Sequence, residues 1–248
     1  QLKKDIQQAT KNCNDYLEQY CENGHTQTYN SLSQDKKSIT LGGYSTHIVV
    51  RERFVLSVSD KLPLANVAPL LCAGITTYSP INHWNVKKGD KLAVLGLGGL
   101  GHMAVKIAAS MGAEVTVLSR SKIKEKDAKR LGATHFKLTS DPAVMKSLAS
   151  SFNFIIDTVS ADHDYNEYLA LLRSNGVMIL LGAPPNPADV SAFQLIGGRR
   201  SLVGSLVGGT KETQEMLDYC AEHNISSDIE LINIDQINEA YERTLKGD

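Results

Sequence analysis

Cysteine, tryptophan and long apolar runs are all scarce in this 248-residue sequence, and each shortage excludes something. The four cysteines, Cys13, Cys21, Cys72 and Cys220, are too few and too scattered for the dense disulfide framework of a small secreted domain. They include no C-x-x-C, so no compact metal motif is present. No apolar run reaches the ~20 residues that a membrane-crossing helix needs. Neither sign of charge dominates: 26 Lys and Arg stand against 27 Asp and Glu, which gives no footprint for nucleic acid or an anionic membrane. The opening QLKKDIQQATKN is polar, unlike a signal or transit peptide. A reduced, cytoplasmic protein is therefore the expectation. The first residue is not methionine, so a processed or incomplete piece is expected. There is no repeat and no low-complexity tract.

What is present is a 42% hydrophobic chain, enough for the core of one large domain or one and a fraction. Its centre of organisation is Lys91 to Gly101, KLAVLGLGGLG. A short apolar strand, Leu92 to Leu95, runs into a glycine-rich turn. Helical spacing then begins at once through Leu100, Met103, Ala104, Ile107, Ala108 and Met111. Gly96, Gly98 and Gly101 fit G-x-G-x-x-G. The first glycine permits the tight turn, the second lets backbone approach a pyrophosphate, and the third lets helix and strand pack closely. The helix N-terminus then presents unpaired N–H groups and partial positive charge. Such a turn also occurs as a plain strand-to-helix connection. Here a second strand, Glu114 to Leu118, completes a βαβ unit, and the context favours a dinucleotide.

The end of that second strand distinguishes the two nicotinamide dinucleotides. An acid there would bond the ribose 2′-hydroxyl and repel a 2′-phosphate. The sequence has Ser119, Arg120 and Ser121, followed by Lys122 and Lys124. Two hydroxyls, a guanidinium and an ammonium suit a phosphate, and NADP is preferred. The bland alternative is a solvated helix face formed by Arg120, Lys122, Lys124 and Lys126.

Residues 1–40 read as polar and irregular. His47 to Val50 and Phe54 to Val58 read as strands from their Val, Ile and Phe content. Pro63 opens a helix that Pro69 interrupts, and Ala73 to Tyr78 forms a short helix before Pro80. The reading continues with helices at Ser121 to Leu131, Ala143 to Ala149, His163 to Leu172, Lys211 to His223 and Asp235 to Leu245. Strands fall at Phe154 to Asp157, Val177 to Leu181 and Leu202 to Leu206, with Ile229 to Ile232 before the last helix. This alternation predicts an α/β fold with a doubly wound parallel sheet. Taken alone, Cys72 reads as a small buried hydrophobe, and Cys220 as core.

The segments GGYSTHIVV, APLLCAGITTYSP, VLGLGGLGHMAVKIA, FIIDTVSA, ILLGAP, KETQEMLDYCAEHNI and INEAYERTLKGD resemble the cinnamyl-alcohol-dehydrogenase type of zinc-dependent, medium-chain alcohol dehydrogenase, from about Cys13 to Asp248. The resemblance implies an enzyme passing hydride between NADP(H) and a primary alcohol or aldehyde, with zinc as Lewis acid. It implies a Rossmann domain and a GroES-like catalytic domain. For this chain that means a partial, β-rich GroES-like part at 1–62, with a degenerate structural-zinc lobe. A cofactor domain follows at 63–210 (core 89–210), and 211–248 gives the last Rossmann helix and the return to the catalytic domain. Cys72 matches a catalytic-zinc ligand, which replaces the buried-hydrophobe reading, and Thr76 a residue near the nicotinamide. The cofactor is implied at Thr76, Gly96, Gly98, Gly99, Leu100, Gly101, Ser119, Arg120, Ser121, Lys124, Thr158, Gly182 and Ser205. Cys13 and Cys21 match the last two of four structural-zinc cysteines. Thr10 and Gln7 stand where the others belong, with His25 as a conceivable nitrogen donor.

The family's other two catalytic ligands, a cysteine and the histidine of a G-H-E motif, do not occur in this sequence. The family also continues past the K-G-D motif at Asp248. A non-catalytic NADP-binding remnant, or a zinc-independent quinone-reductase-like enzyme, are the alternatives. A homodimer is implied, joined through the strand at Leu202 to Leu206.

Overall fold

The computed structural model describes residues 11–246, apart from 23, 25, 34, 35 and 45. Its centre is a six-stranded parallel sheet. The strands are β3 (Lys91–Leu95), β4 (Glu114–Ser119), β5 (His135–Leu138), β6 (Phe152–Asp157), β7 (Leu172–Leu180) and β8 (Ser201–Gly204), in the order β5-β4-β3-β6-β7-β8. Two short strands precede it, β1 (Tyr29–Leu32) and β2 (Ile39–Leu41), paired antiparallel.

Strand β3 explains the architecture. Leu92, Ala93 and Val94 are fully buried, as expected of a central parallel strand covered on both faces. Leu92 faces Val115 on one side and Phe154 on the other. Successive side chains feed opposite layers. Leu92 and Val94 join the core with Met103, Ile107, Ile156 and Met216. Ala93 and Leu95 join a second core with Ile155, Tyr168, Leu169 and Met178. The first layer is covered by three helices, here α3 (Ala73–His83), α4 (Gly99–Ser110) and α9 (Thr210–Glu222). The earlier helices α1 (Lys11–Asn14) and α2 (Leu64–Val67) are single turns. The second layer holds α7 (Tyr165–Leu169); α5 (Glu125–Arg130), α6 (Pro142–Ser147), α8 (Ala192–Ile196) and α10 (Ile237–Lys246) complete the set.

The chain winds outward from β3 to β5, then returns to β6 on the other side of β3. The connections after β3 and β6 therefore diverge. A crevice opens at their carboxyl ends, the place where doubly wound sheets bind ligands.

Several local expectations fail for identifiable reasons. Residues 47–50 and 54–58 are not strands. A strand needs a ladder partner, and among the described residues no strand lies alongside these segments: Ile48 and Val55 are exposed, and Val49 is completely so. Residues 29–32 and 39–41, expected to be irregular, do pair. Helix α3 runs through Pro80 and ends at His83. Burial of every residue from Ala73 to Ile81 overrides the helix-breaking cost of proline. The helix expected at His163 to Leu172 shortens to α7, because β7 already begins at Leu172. Residues 229–232 are coil.

Candidate functional site: the crevice at the glycine turn

Strand β3 ends at Leu95, and Gly96 turns the chain with φ +86°, a left-handed conformation that glycine adopts without steric cost. Its N–H donates to the Leu118 carbonyl at 3.1 Å, so β4 fixes the turn. Gly98 caps α4 at its N-terminus. A β-carbon on either Gly98 or Gly99 would meet no atom within 4 Å: this backbone faces open space, as a pyrophosphate cradle requires. Gly101 does the opposite, since a β-carbon there would collide with the Gly96 carbonyl. Leu100, partly buried, packs on the core and seats the first helical turn.

The end of β4 faces the same space. A cleft of about 350 Å³ is lined by Gly96 and Leu97 on one side and by Ser119, Arg120, Ser121 and Lys124 on the other. The Ser119 hydroxyl accepts from the Ser121 N–H at 3.2 Å, which closes the turn after β4. Among the described residues neither Arg120 nor Lys124 is in an ion pair. Lys124 also borders an adjoining hollow with Gly98 and Gly99. The structure thus brings the glycine turn and the expected 2′-phosphate residues to one cleft.

The third wall comes from β6. The Thr158 hydroxyl donates to Leu95 O at 2.8 Å, tying β6 to the turn. Gly182, after β7, donates to Asp157 O at 3.0 Å. Ser205 lies elsewhere: it lines a separate hollow of about 410 Å³ with Ser79, His83, Trp84, Tyr20 and Lys211.

Two residues of this wall were missed in the sequence. Asp157 closes β6 and is 1% exposed. One carboxylate oxygen accepts from the Val159 N–H at 3.0 Å, and the other lies 2.9 Å from His163 Nε2. His163 Nδ1 lies 2.8 Å from Ala161 O. Burial pushes the Asp157 carboxyl above the usual carboxylate range, against the lowering pull of Val159 and His163. The available signal was an acid at the end of the otherwise apolar FIID.

Cys72 is exposed, between a 3₁₀ turn (Ala68–Leu71) and α3. Thr76, buried one helical turn later, donates its N–H to Cys72 O at 3.0 Å. Among the described residues no group of three His, Cys, Asp or Glu side chains could hold a metal. A catalytic zinc needs about three protein donors, so the described residues do not fit one at Cys72. Cys13, on α1, and Cys21 are both partly buried. Gln7, Thr10 and His25 lie outside the described residues. No single helix is long and apolar enough to cross a membrane.

A family described as zinc-binding dehydrogenase matches residues 99–222. An NADP-dependent alcohol dehydrogenase of Mycolicibacterium smegmatis is 55% identical over 96% of this chain, which spans 68% of that relative. A cinnamyl alcohol dehydrogenase of Sorghum bicolor superposes with a TM-score of 0.93 at 42% identity, covering 97% of this chain and 69% of its own. The cinnamyl alcohol dehydrogenase of Helicobacter pylori, solved with NADP(H), gives 0.88 at 45% identity over 96% of this chain and 68% of its own. This chain belongs to the cinnamyl-alcohol-dehydrogenase type of zinc-binding, medium-chain alcohol dehydrogenases, a family of oxidoreductases.

Proposed function

We propose that the chain binds NADP(H) in the crevice between β3, β4 and β6 and serves hydride transfer between a primary alcohol and its aldehyde. One observation carries this: a cleft joins Gly96 and Leu97 of the turn to Ser119, Arg120, Ser121 and Lys124, and Lys124 also borders the adjoining hollow onto which the open backbone of Gly98 and Gly99 faces. Asp162 also lines this cleft, its carboxylate accepting from the Asn186 side-chain amide at 2.6 Å. The NADP dependence in the name of one relative and the NADP(H) bound in another support the same cofactor.

The nicotinamide supplies the hydride chemistry when bound. The α4 N-terminus would hold the pyrophosphate by backbone N–H groups, and Arg120 and Lys124 the 2′-phosphate by charge-assisted bonds. Thr158 and Gly182 keep the strand ends in place, and Thr76, one helical turn after Cys72, would lie near the nicotinamide. Zinc would supply a Lewis acid in this family. Cys72 is one donor for it, and further donors are required beyond those the described residues place there. The division into a partial catalytic part at 1–62, a cofactor domain at 63–210 and a return segment at 211–248 is part of the same proposal. So is a homodimer formed through β8, one of the two edge strands of the sheet, which light scattering would test.

The test is NADPH oxidation with an aromatic aldehyde, alongside measured zinc content. Turnover supports the enzyme. A second reading, a cofactor-binding protein without turnover, is favoured by the absence, among the described residues, of a metal-holding group around Cys72. It predicts that NADPH raises the unfolding temperature while no aldehyde is reduced.

A further inference from the structure

We propose that His163, held by the buried carboxylate of Asp157 through one shared proton, is a positioning residue that sets the adenosine-side wall of the cofactor cleft. The proposal rests on the NADP(H) reading above and extends it to residues outside the glycine and phosphate motifs.

The geometry dictates the proton count. A carbonyl only accepts, so the 2.8 Å contact of His163 Nδ1 with Ala161 O requires a hydrogen on Nδ1. The 2.9 Å contact between His163 Nε2 and Asp157 Oδ2 then needs a second proton, on the ring or on the carboxyl. The pair is neutral whichever side carries it. Asp157 sits at the C-terminal end of β6, opposite Leu95 across the switch point. Its other oxygen is already committed to the Val159 N–H. The carboxylate thus anchors residues 158–163 at two points, and this segment supplies Val159, Ala161, Asp162 and His163 to the cleft.

The surroundings keep the ring in place. His163 packs edge-on against Tyr165 and Tyr168 of α7, at 4.8 and 5.7 Å between centroids. Tyr168 borders the cleft with Arg120. The other charged groups facing the pair are Asp162 and Asp164 in the same loop and Asp189 across the adjoining hollow. All three are acids; among the described residues the cations lining the same cleft are Arg120 and Lys124.

Loss of the shared proton has one of two outcomes. Either the Nε2 lone pair faces a carboxylate, or the ring changes tautomer and abandons Ala161. Each breaks one anchor and leaves a negative charge beside a site for an anionic ligand. NADPH affinity is therefore expected to fall at alkaline pH, once this proton is gone. Asp157→Asn separates this from plain packing. Its amide oxygen still accepts from Val159, and its NH2 donates to a neutral His163 that keeps Nδ1–H on Ala161, with no shared proton needed.

The experiment is NADPH titration by fluorescence across pH for the parent chain, Asp157→Asn and His163→Ala, with melting curves as the folding control. The parent should weaken at alkaline pH. His163→Ala should bind roughly ten-fold less tightly, the scale of one lost bond to a charged group. Asp157→Asn should lose the alkaline weakening and weaken instead on the acid side. If His163→Ala does not fold, the Asp157→Asn profile alone decides. An unchanged profile in Asp157→Asn, or unchanged affinity in a folded His163→Ala, overturns the proposal. A parent chain that binds no NADPH at any pH removes the NADP(H) reading, and the proposal with it.

Discussion

The α-carbon of Gly101 sits against the carbonyl of Gly96, with no room for a β-carbon between them. The turn and the first helical turn of α4 are thereby locked as one piece. Neither partner can move away cheaply: Gly96 is bonded to Leu118, and the atom in the way is backbone. Gly101→Ala should therefore displace the α4 N-terminus from β3. Overpacking of a buried position of this kind typically costs about 1–3 kcal/mol. A lower unfolding temperature together with weaker NADPH binding is the expected outcome. Gly99→Ala, where the β-carbon would meet open space, should leave stability almost unchanged while obstructing the cofactor. Equal stability losses in both variants would contradict this division.

Arg120 stands at the end of β4 with no carboxylate partner among the described residues. Arg120→Asp replaces a guanidinium by an acid at the proposed 2′-phosphate position. A charge-assisted bond is lost and a repulsion added, together worth about 2–3 kcal/mol, or roughly a hundred-fold. NADP affinity should fall by that amount while NAD affinity holds or rises. Parallel titrations with the two dinucleotides read the change. Equal effects on both would mean that Arg120 is only a solvated side chain.

The parallel sheet was readable in the sequence because its determinants are local. KLAVL, EVTVLS and FNFIID are short apolar runs, each bounded by turn residues. The glycine motif, and the missing acid after β4, were readable for the same reason. What was not readable depends on partners distant in the chain. Val49 has strand-forming chemistry but no neighbouring strand among the described residues, and stays exposed. Pro80 sits within a helix because packing on every side compensates for the missing N–H. Asp157 and His163 carry no spacing signature. Their pairing follows only once residues 158–163 fold back over the end of β6. Cys72 was misjudged on residue type alone: free cysteine is usually buried, and this one is exposed.

Cys72 and Cys220 should differ sharply in thiol chemistry. Cys220 lies fully buried on α9 beside Met216, and burial pushes its thiol up to about 11. The thiolate is the reactive species, so a thiol reagent should label Cys72 quickly in the native protein and Cys220 only after unfolding. The same shift has a stability consequence. In the unfolded chain this thiol ionises near ~8.5, so between that pH and about 11 the unfolded state releases a proton that the folded state keeps. Its contribution is intact below pH ~8.5 and declines as pH rises through that window. Cys220→Ala should flatten the alkaline decline of the melting temperature. An identical decline in the variant would assign it to other groups.

Asp228 gives the opposite sign. It receives Lys106 of α4 and, at 2.7 Å, Arg130 of α5. Lys106 also donates to Ser226 O at 2.7 Å, so this cluster fastens residues 226–228 beside the two helices that flank the glycine turn. Partial burial opposes ionisation of Asp228, but the two cations outweigh it and hold the carboxyl below its ordinary range. The stabilisation is therefore present above the unfolded carboxylate value near ~3.9 and disappears as pH falls through the lower folded value. The side chain is 40% exposed, so solvent screening limits the effect to about 1 kcal/mol. Asp228→Asn should lower the melting temperature slightly at neutral pH and low salt, with the difference shrinking at high salt and vanishing in acid. A loss that persisted undiminished in acid would show that the amide fails on packing, with no part played by the charge on Asp228.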